Sequence, residues 1–275
     1  MKAVRIPLFF PALFKKVRDD NALFLARGLA FDVLVCLIPA VFLLLILFGF
    51  LFDSPREAAQ YMRTYMKSMI PFSSQELLRS LFSAVRTQKV LGVVGFLGLV
   101  WTLSRVFGSI RTVLDTVFQV REGRGILRGK LFDLKMMLLG SVFFLATVLV
   151  TSVFSLLKKV SAQPLAAKFQ YLGARWEAAG IFLAFFFTIG LFFCLYKYVP
   201  FRRVKTSTAL FAALAAGVLW ELAKHGFRFY LLTAADVSQV YGPFGLLFAL
   251  VLWVYYSCIV FILGAEMGWV WEKKI

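Results

Sequence analysis

The chain has 275 residues, of which 61% are hydrophobic and 17% aromatic, and its formal net charge is +17. Soluble domains are about 45–50% apolar, so this composition argues against a soluble protein and indicates an integral membrane protein. In such a protein, Lys and Arg gather in the loops that set topology and meet anionic lipid. The positive charge therefore points to anionic membrane lipids as partners and not to nucleic acid.

The first residues are basic and amphipathic, and no small-residue cleavage site follows a short apolar stretch. We therefore expect residues 1–23 to form a cytoplasmic amphipathic segment, and the span that follows to stay in the mature protein. The cysteines, Cys36, Cys194 and Cys258, lie in apolar stretches without metal-ligand spacing. The sequence predicts neither a disulfide framework nor a metal or cofactor site.

Six apolar stretches are each near or above the ~20 helical residues that a bilayer requires. They cover residues 24–52, 90–119, 133–157, 177–199, 206–232 and 241–270. The predicted fold class is an all-α polytopic membrane protein with six transmembrane helices over residues 24–272, together with amphipathic interfacial helices.

The connection between the first two predicted spans carries apolar residues at helical spacing on both sides of Pro71. This pattern predicts a helical hairpin over residues 55–89 on the outer face, lying on lipid or capping the bundle. A similar stripe runs through residues 9–17. We interpret these segments as anchoring or packing helices, and the alternative is a lid or lipid-gathering surface.

The short loops set the expected orientation. Residues 121–132 and 200–205 are rich in Arg and Lys, whereas residues 233–240 contain one acid and no base. The positive-inside rule therefore places both termini in the cytoplasm.

The fifth predicted span contains the strongest functional signal. Glu221, Lys224, His225 and Arg228 are spaced i, i+3, i+4 and i+7, so they lie along one helix face. Charges in a membrane helix are costly and usually point to an interior, a cavity or a pathway. Because Glu221 neutralises only one base, the face keeps excess positive charge that suits a phosphate or carboxylate. In the alternative, Lys224 and Arg228 reach the outer water while Glu221 ties helices together, and His225 is a packed hydrogen-bonding residue.

A second group of charged residues is expected nearer the cytoplasmic side. Asp32 and Arg105 fall at similar depths in the first two spans, which predicts an ion pair between them. In the alternative, Asp32 reaches the inner interface and Arg105 meets backbone carbonyls. Arg111 and Asp115 form an i,i+4 pair, and Glu266 could join them in a polar inner vestibule. We count Arg105 as substrate-binding and the other four as gating or ion-pair residues.

The chain resembles the YihY/BrkB family of bacterial inner-membrane proteins over about residues 22–270. The resemblance is carried by an ordered set of short pieces. They are Ala30-Phe31 with Pro39, Leu91-Gly92 through Trp101 and Ser104, Tyr196-Lys197-Tyr198-Val199-Pro200, Trp220-Glu221, Phe227 with Tyr230, Tyr241-Gly242, Trp253 with Tyr255-Tyr256, and Leu263-Gly264-Ala265-Glu266. Asp32 and Asp115 depart from the family pattern, which more often has an aromatic residue and an Asn at these two positions.

The resemblance implies a six-helix protein of the bacterial inner membrane. Some relatives are linked to transport of envelope lipid or lipopolysaccharide, others to serum resistance, and the family also carries an old ribonuclease label. The residues argue against that label, because one His and scattered acids do not form a catalytic metal centre. We therefore expect no enzymatic activity.

Together these features predict a transporter or flippase-like protein for an anionic lipid or lipid-linked envelope molecule. A channel or carrier for small solutes or ions is the first alternative, and a structural or envelope-assembly protein is the second. No Walker A pattern occurs, so we expect no built-in ATP drive. A homo-oligomer or an envelope-transport partner remains open.

Overall fold

A computed structural model describes most of the chain, and every regular element in the part it describes is a helix. The described residues are 6–51, 88–120, 129, 132, 134–136, 140, 170–233 and 243–273. Six helices are bounded within them. They are α1 (Ile6–Asp19), α2 (Ala22–Leu51), α3 (Gln88–Val117), α4 (Gln170–Tyr198), α5 (Thr206–Thr233) and α6 (Pro243–Lys273).

Four of these helices contain segments long and apolar enough to cross a membrane, which confirms a helical membrane protein. The segments are Ala22–Ala40, Val93–Val117, Thr206–Tyr230 and Leu247–Lys273, and the shorter stretch Phe182–Tyr198 is also apolar. Helices α2 to α6 therefore overlie five of the six predicted spans. The remaining predicted span, residues 133–157, falls almost wholly outside the described residues. So does the predicted hairpin over residues 55–89.

Helix α4 begins at Gln170, earlier than the predicted start at residue 177. Hydropathy marks only the apolar part of a helix, whereas the preceding Gln, Leu, Ala and Arg are good helix formers and extend it. Helix α6 likewise continues past the predicted end at residue 270, to Lys273.

Two residues with positive φ mark helix ends. The N–H of Gln119 donates to the carbonyl of Thr116 at 3.1 Å, and the N–H of Val120 donates to the carbonyl of Asp115 at 2.8 Å. With Gln119 at φ 53°, this is a Schellman motif that satisfies the last carbonyls of α3. Asn21, at φ 52°, separates α1 from α2, and Asn tolerates this left-handed conformation well.

The described residues form two compact units. The first unit comprises those within Met1–Ala26, Ile110–Ala223 and Ile259–Ile275, and the second comprises those within Arg27–Ser109 and Lys224–Cys258.

In the first unit, α5 and α6 approach closely through small residues. A methyl group on Gly264 would lie 2.6 Å from Cβ of Ala216, and one on Gly268 would lie 2.7 Å from Cβ of Ala212. Both alanines are fully buried. Such interfaces let two membrane helices pack backbone against backbone.

An aromatic cluster fills the space between α4 and α6 in the same unit. The ring centroids of Tyr196 and Phe261 lie 5.2 Å apart, and those of Phe192 and Tyr196 lie 6.0 Å apart. The buried hydroxyl of Tyr196 donates to the carbonyl of Phe261 at 2.7 Å. A buried phenol needs such a partner, so this bond sets the register of α4 against α6.

At its glycines, the contact between α2 and α3 in the second unit is looser. A methyl group on Gly95 would lie 3.7 Å from Leu43, and one on Gly98 would lie 3.7 Å from Cβ of Pro39. These are ordinary contact distances between α3 and α2. On the other two helices of this unit, the rings of Phe227 and Trp253 lie 4.7 Å apart and join α5 to α6.

Candidate functional site

The charged face of α5 lies on a continuous helix, so the four predicted residues do share one side. Glu221 is half-buried, whereas Lys224, His225 and Arg228 are exposed. The three exposed residues belong to the second unit. Their side chains thus lie at the surface of the structure, and their role in a pathway stays a prediction.

Apolar side chains are interleaved with these bases. Leu222 and Phe229 are both largely exposed and are spaced at i−3 and i+4 from His225, so the three share a helix face. The surface of α5 therefore offers charge and hydrocarbon contact side by side.

Asp32 and Arg105 meet as the depth argument predicts. Nη2 of Arg105 lies 3.4 Å from Oδ1 of Asp32, and Ser109 donates a hydrogen bond to the other carboxylate oxygen. The guanidinium also lies 5.5 Å from the ring centroid of Trp101. Asp32 is 13% exposed and Arg105 is 54% exposed, so the carboxylate is held inside while the guanidinium keeps donors facing outward.

Arg111, Asp115 and Glu266, the predicted inner vestibule, each have a contact that the sequence does not reveal. Oδ1 of Asp115 accepts a hydrogen bond from the N–H of Phe201 at 2.8 Å, which ties the α4–α5 turn to α3. The guanidinium of Arg111 lies against Gly129, where a methyl group would come within 2.6 Å of Nη1. The Arg111–Asp115 pair and its gating role stay predictions.

Glu266 lies in a buried ion cluster whose central residue is Lys16 of α1. Nζ of Lys16 lies 3.3 Å from Oε2 of Glu266, pairs with the carboxylate of Asp20, and donates to the carbonyl of Val117 at 3.1 Å. It also lies 4.6 Å from the ring centroid of Trp269. Lys16 is 6% exposed and Glu266 is 0% exposed. The cluster joins α1, the end of α3 and α6.

Lys16 was not among the sequence-predicted site residues, although a signal existed. Phe9 and Lys16 are spaced i and i+7, so this Lys lies on the same face of α1 as Phe9. Phe9 is buried and its ring lies 6.4 Å from that of Phe211, whereas Phe10 and Phe14 are exposed. One face of α1 therefore packs on the bundle, and a Lys within that face needs a buried counter-ion.

Glu272 was also missed. Its Oε1 lies 2.9 Å from Nη2 of Arg202 and 3.9 Å from Nζ of Lys205, so the end of α6 binds the basic α4–α5 turn. Lys197 closes the same turn by donating to the hydroxyl of Thr206 at 3.1 Å. Within the described ranges, no group of three or more His, Cys, Asp or Glu side chains could hold a metal ion.

Comparison with known proteins places the chain among bacterial membrane proteins. The family model described as Virulence factor BrkB matches residues 13–275. A UPF0761 membrane protein from Chlorobium phaeobacteroides is 30% identical over 266 residues, which cover 95% of this chain and 56% of that protein. Another, from Vibrio campbellii, is 28% identical over 261 residues, covering 94% of this chain and 80% of the relative.

The chain thus spans little more than half the length of the Chlorobium relative. No solved structure matches this chain. The family match covers nearly the whole chain, including the four apolar helices and the residues that carry the resemblance. This multi-pass helical membrane protein therefore belongs to the YihY/BrkB family.

Proposed function

We propose that this protein moves an anionic lipid, or a lipid-linked envelope molecule, across a bacterial inner membrane. The observation that carries the proposal is the exposure of Lys224, His225 and Arg228 within a helix apolar enough to span a bilayer. Inserting a charged side chain at the centre of a membrane helix costs about 2.5–3.5 kcal/mol on translocon-insertion scales. Such groups are stabilised where water or an anionic head group meets them.

The side chains around these bases fit an amphiphile better than a small solute. Leu222 and Phe229 expose hydrocarbon on the same helix, where acyl chains would pack. Phe227, held against Trp253 with ring centroids 4.7 Å apart, gives the helix a rigid support next to Arg228. A phosphate at the bases and an acyl chain on the apolar side chains would use both surfaces.

Arg105 provides a second cationic contact in the same unit. Its guanidinium is 54% exposed and only one of its nitrogens, Nη2, bonds to Asp32. A guanidinium has five N–H donors, so others remain for phosphate oxygens. Asp32 would serve as the counter-ion that holds Arg105 when no head group is bound.

The proposal includes cytoplasmic termini and no catalytic chemistry. The basic loops at residues 121–132 and 200–205 support that orientation. Anionic lipids are the proposed ligands, and their movement is passive, ion-coupled or driven by an envelope-transport partner. A second copy of the chain is a further proposed partner.

The test is lipid movement in proteoliposomes containing fluorescent phosphatidylglycerol, compared with fluorescent phosphatidylcholine. We expect the protein to move the anionic lipid faster. Replacing Lys224 and Arg228 with Gln should slow that movement about ten- to thirtyfold, because each basic residue near an anionic surface contributes about 1 kcal/mol. The control, Lys15→Gln with Arg18→Gln, removes the same charge from exposed positions on α1 and should have little effect.

Unchanged movement in the Lys224 and Arg228 double variant would contradict the proposal. Flux of small solutes or ions without lipid movement would favour a channel or carrier. Absence of both activities in the wild-type protein would favour a structural or assembly role.

A further inference from the structure

We infer that Lys16, Asp20 and Glu266 form a proton-binding site that controls how firmly α1 is held against α6. The inference rests only on contacts within the first unit and is independent of lipid movement. The cluster has one ammonium and two carboxylates around the same atom, Nζ of Lys16. The three side chains together therefore carry one net negative charge when both carboxyl groups are ionised.

The ammonium also serves groups other than Glu266. It has three N–H donors. One serves the carboxylate of Asp20 and another the carbonyl of Val117 at 3.1 Å, while the ring of Trp269 lies 4.6 Å away. Glu266, at 3.3 Å from Nζ, is an ion-pair partner but accepts no hydrogen bond from it.

Glu266 is buried with little compensation. Its side chain is 0% exposed, and neither carboxylate oxygen accepts a hydrogen bond from any residue that the structure describes. Buried carboxylates are normally satisfied by several donors, because an uncompensated charge in a dry environment is costly. The nearby indole nitrogen of Trp269 is also buried, and no described group accepts its hydrogen.

A proton on Glu266 would relieve the cost of burying its charge. It would remove the excess negative charge and convert one carboxylate oxygen into an O–H donor. Lys16 and Asp20 on α1 are the charged groups that face Glu266, and Lys273 of α6 lies 5.4 Å from the ring of Trp269. From α3, the carbonyl of Val117 accepts from Nζ of Lys16, and α5 contacts this part of α6 through Ala212.

Protonation of Glu266 and docking of α1 are thermodynamically linked. When α1 is docked, Glu266 is buried and favours the proton; when α1 leaves, water reaches the carboxylate and the proton is bound less tightly. Proton uptake therefore stabilises the docked α1, and rising pH loosens it. The proton acts here as a ligand that shifts the population of docked molecules.

The site can be tested by infrared titration of the whole protein in nanodiscs. We expect a carboxylic-acid C=O band that disappears as pH rises, is absent in Glu266→Gln, and is retained in Glu272→Gln, where a carboxylate that pairs with Arg202 is lost instead. A band that persists in Glu266→Gln, or no titrating band, would overturn the inference. Displacement of the band by Na⁺ or K⁺ at constant pH would also overturn it, because the site would then bind a monovalent cation in place of the proton.

A second variant protects the test against misfolding. Asp20→Asn removes the rival carboxylate, so Lys16 can neutralise Glu266 alone and the band should titrate at lower pH. At one fixed pH above the wild-type midpoint, backbone amides of α1 should exchange at least about threefold more slowly in Glu266→Gln than in wild type, since Gln is neutral like the protonated acid. Equal or faster exchange would show that docking does not depend on this proton.

Discussion

The ionic residues of the two units are built differently. In the first unit, Lys16 and Glu266 are buried and held in a shared cluster, and Glu272 is covered by the turn that it binds. In the second unit, Lys224, His225 and Arg228 are exposed on a spanning helix, and Arg105 is partly exposed beside its counter-ion. Similar residue types thus serve cohesion between helices in one region and accessibility in the other.

Burial decides how much each charge contributes to stability. Removing one partner of a buried ion pair leaves an uncompensated charge in a dry environment, whereas an exposed charge is solvated and costs little to remove. The comparison can be sharpened by matched substitutions in the two units.

The largest expected effect is that of Lys16→Met. The substitution leaves Asp20 and Glu266 without their shared ammonium, so we expect a loss of about 3–5 kcal/mol in stability. Thermal unfolding in detergent, followed by tryptophan fluorescence, measures it. Lys224→Met on the exposed face is the matched change and should stay within about 0.5 kcal/mol of wild type. Equal effects of the two would remove the distinction between the units.

Small residues at the helix interfaces give the next contrast. Gly268→Ala places a methyl 2.7 Å from Cβ of Ala212 and 3.3 Å from the carbonyl of Thr208, so α5 and α6 must separate. Such overpacking costs about 1–3 kcal/mol. Gly98→Ala in the second unit meets Pro39 at 3.7 Å and should be neutral or slightly stabilising, because Ala favours a helix. The two unfolding temperatures, measured side by side, test whether the contact between α5 and α6 is tighter than that between α2 and α3.

Among the substitutions that break a contact, the smallest effect on stability is expected at Asp32 and Arg105. Arg105→Gln should cost about 0–1 kcal/mol, because the guanidinium is 54% exposed and solvent weakens the pair. Asp32→Asn keeps an acceptor for Ser109 and should cost a similar amount.

Lipid movement provides the sharper measurement for this pair. Exchanging the two charges, as Asp32→Arg with Arg105→Asp, should restore the activity that either single reversal lowers. Failure of the double reversal to restore it would show that the contact is not functional.

Features that depend on local pattern were predictable from the sequence. Long apolar runs predicted a helical membrane protein, and α2 to α6 begin and end within several residues of the predicted spans. The Asp32–Arg105 contact was also within reach, because rise per residue sets the depth of each charge in a spanning helix. Spacing alone likewise puts the four polar residues of α5 on one side.

The tertiary structure alone decided which helix faces meet. Lys16 and Glu266 lie at opposite ends of the chain, so no periodicity within either segment could pair them. The same holds for Glu272 with Arg202, and for Ala212 with Gly268, whose small size matters only where two backbones approach. Hydrophobicity sets which segments enter the membrane, but the matching of side-chain shapes and charges across helices sets which become neighbours, and that match is a property of the folded chain.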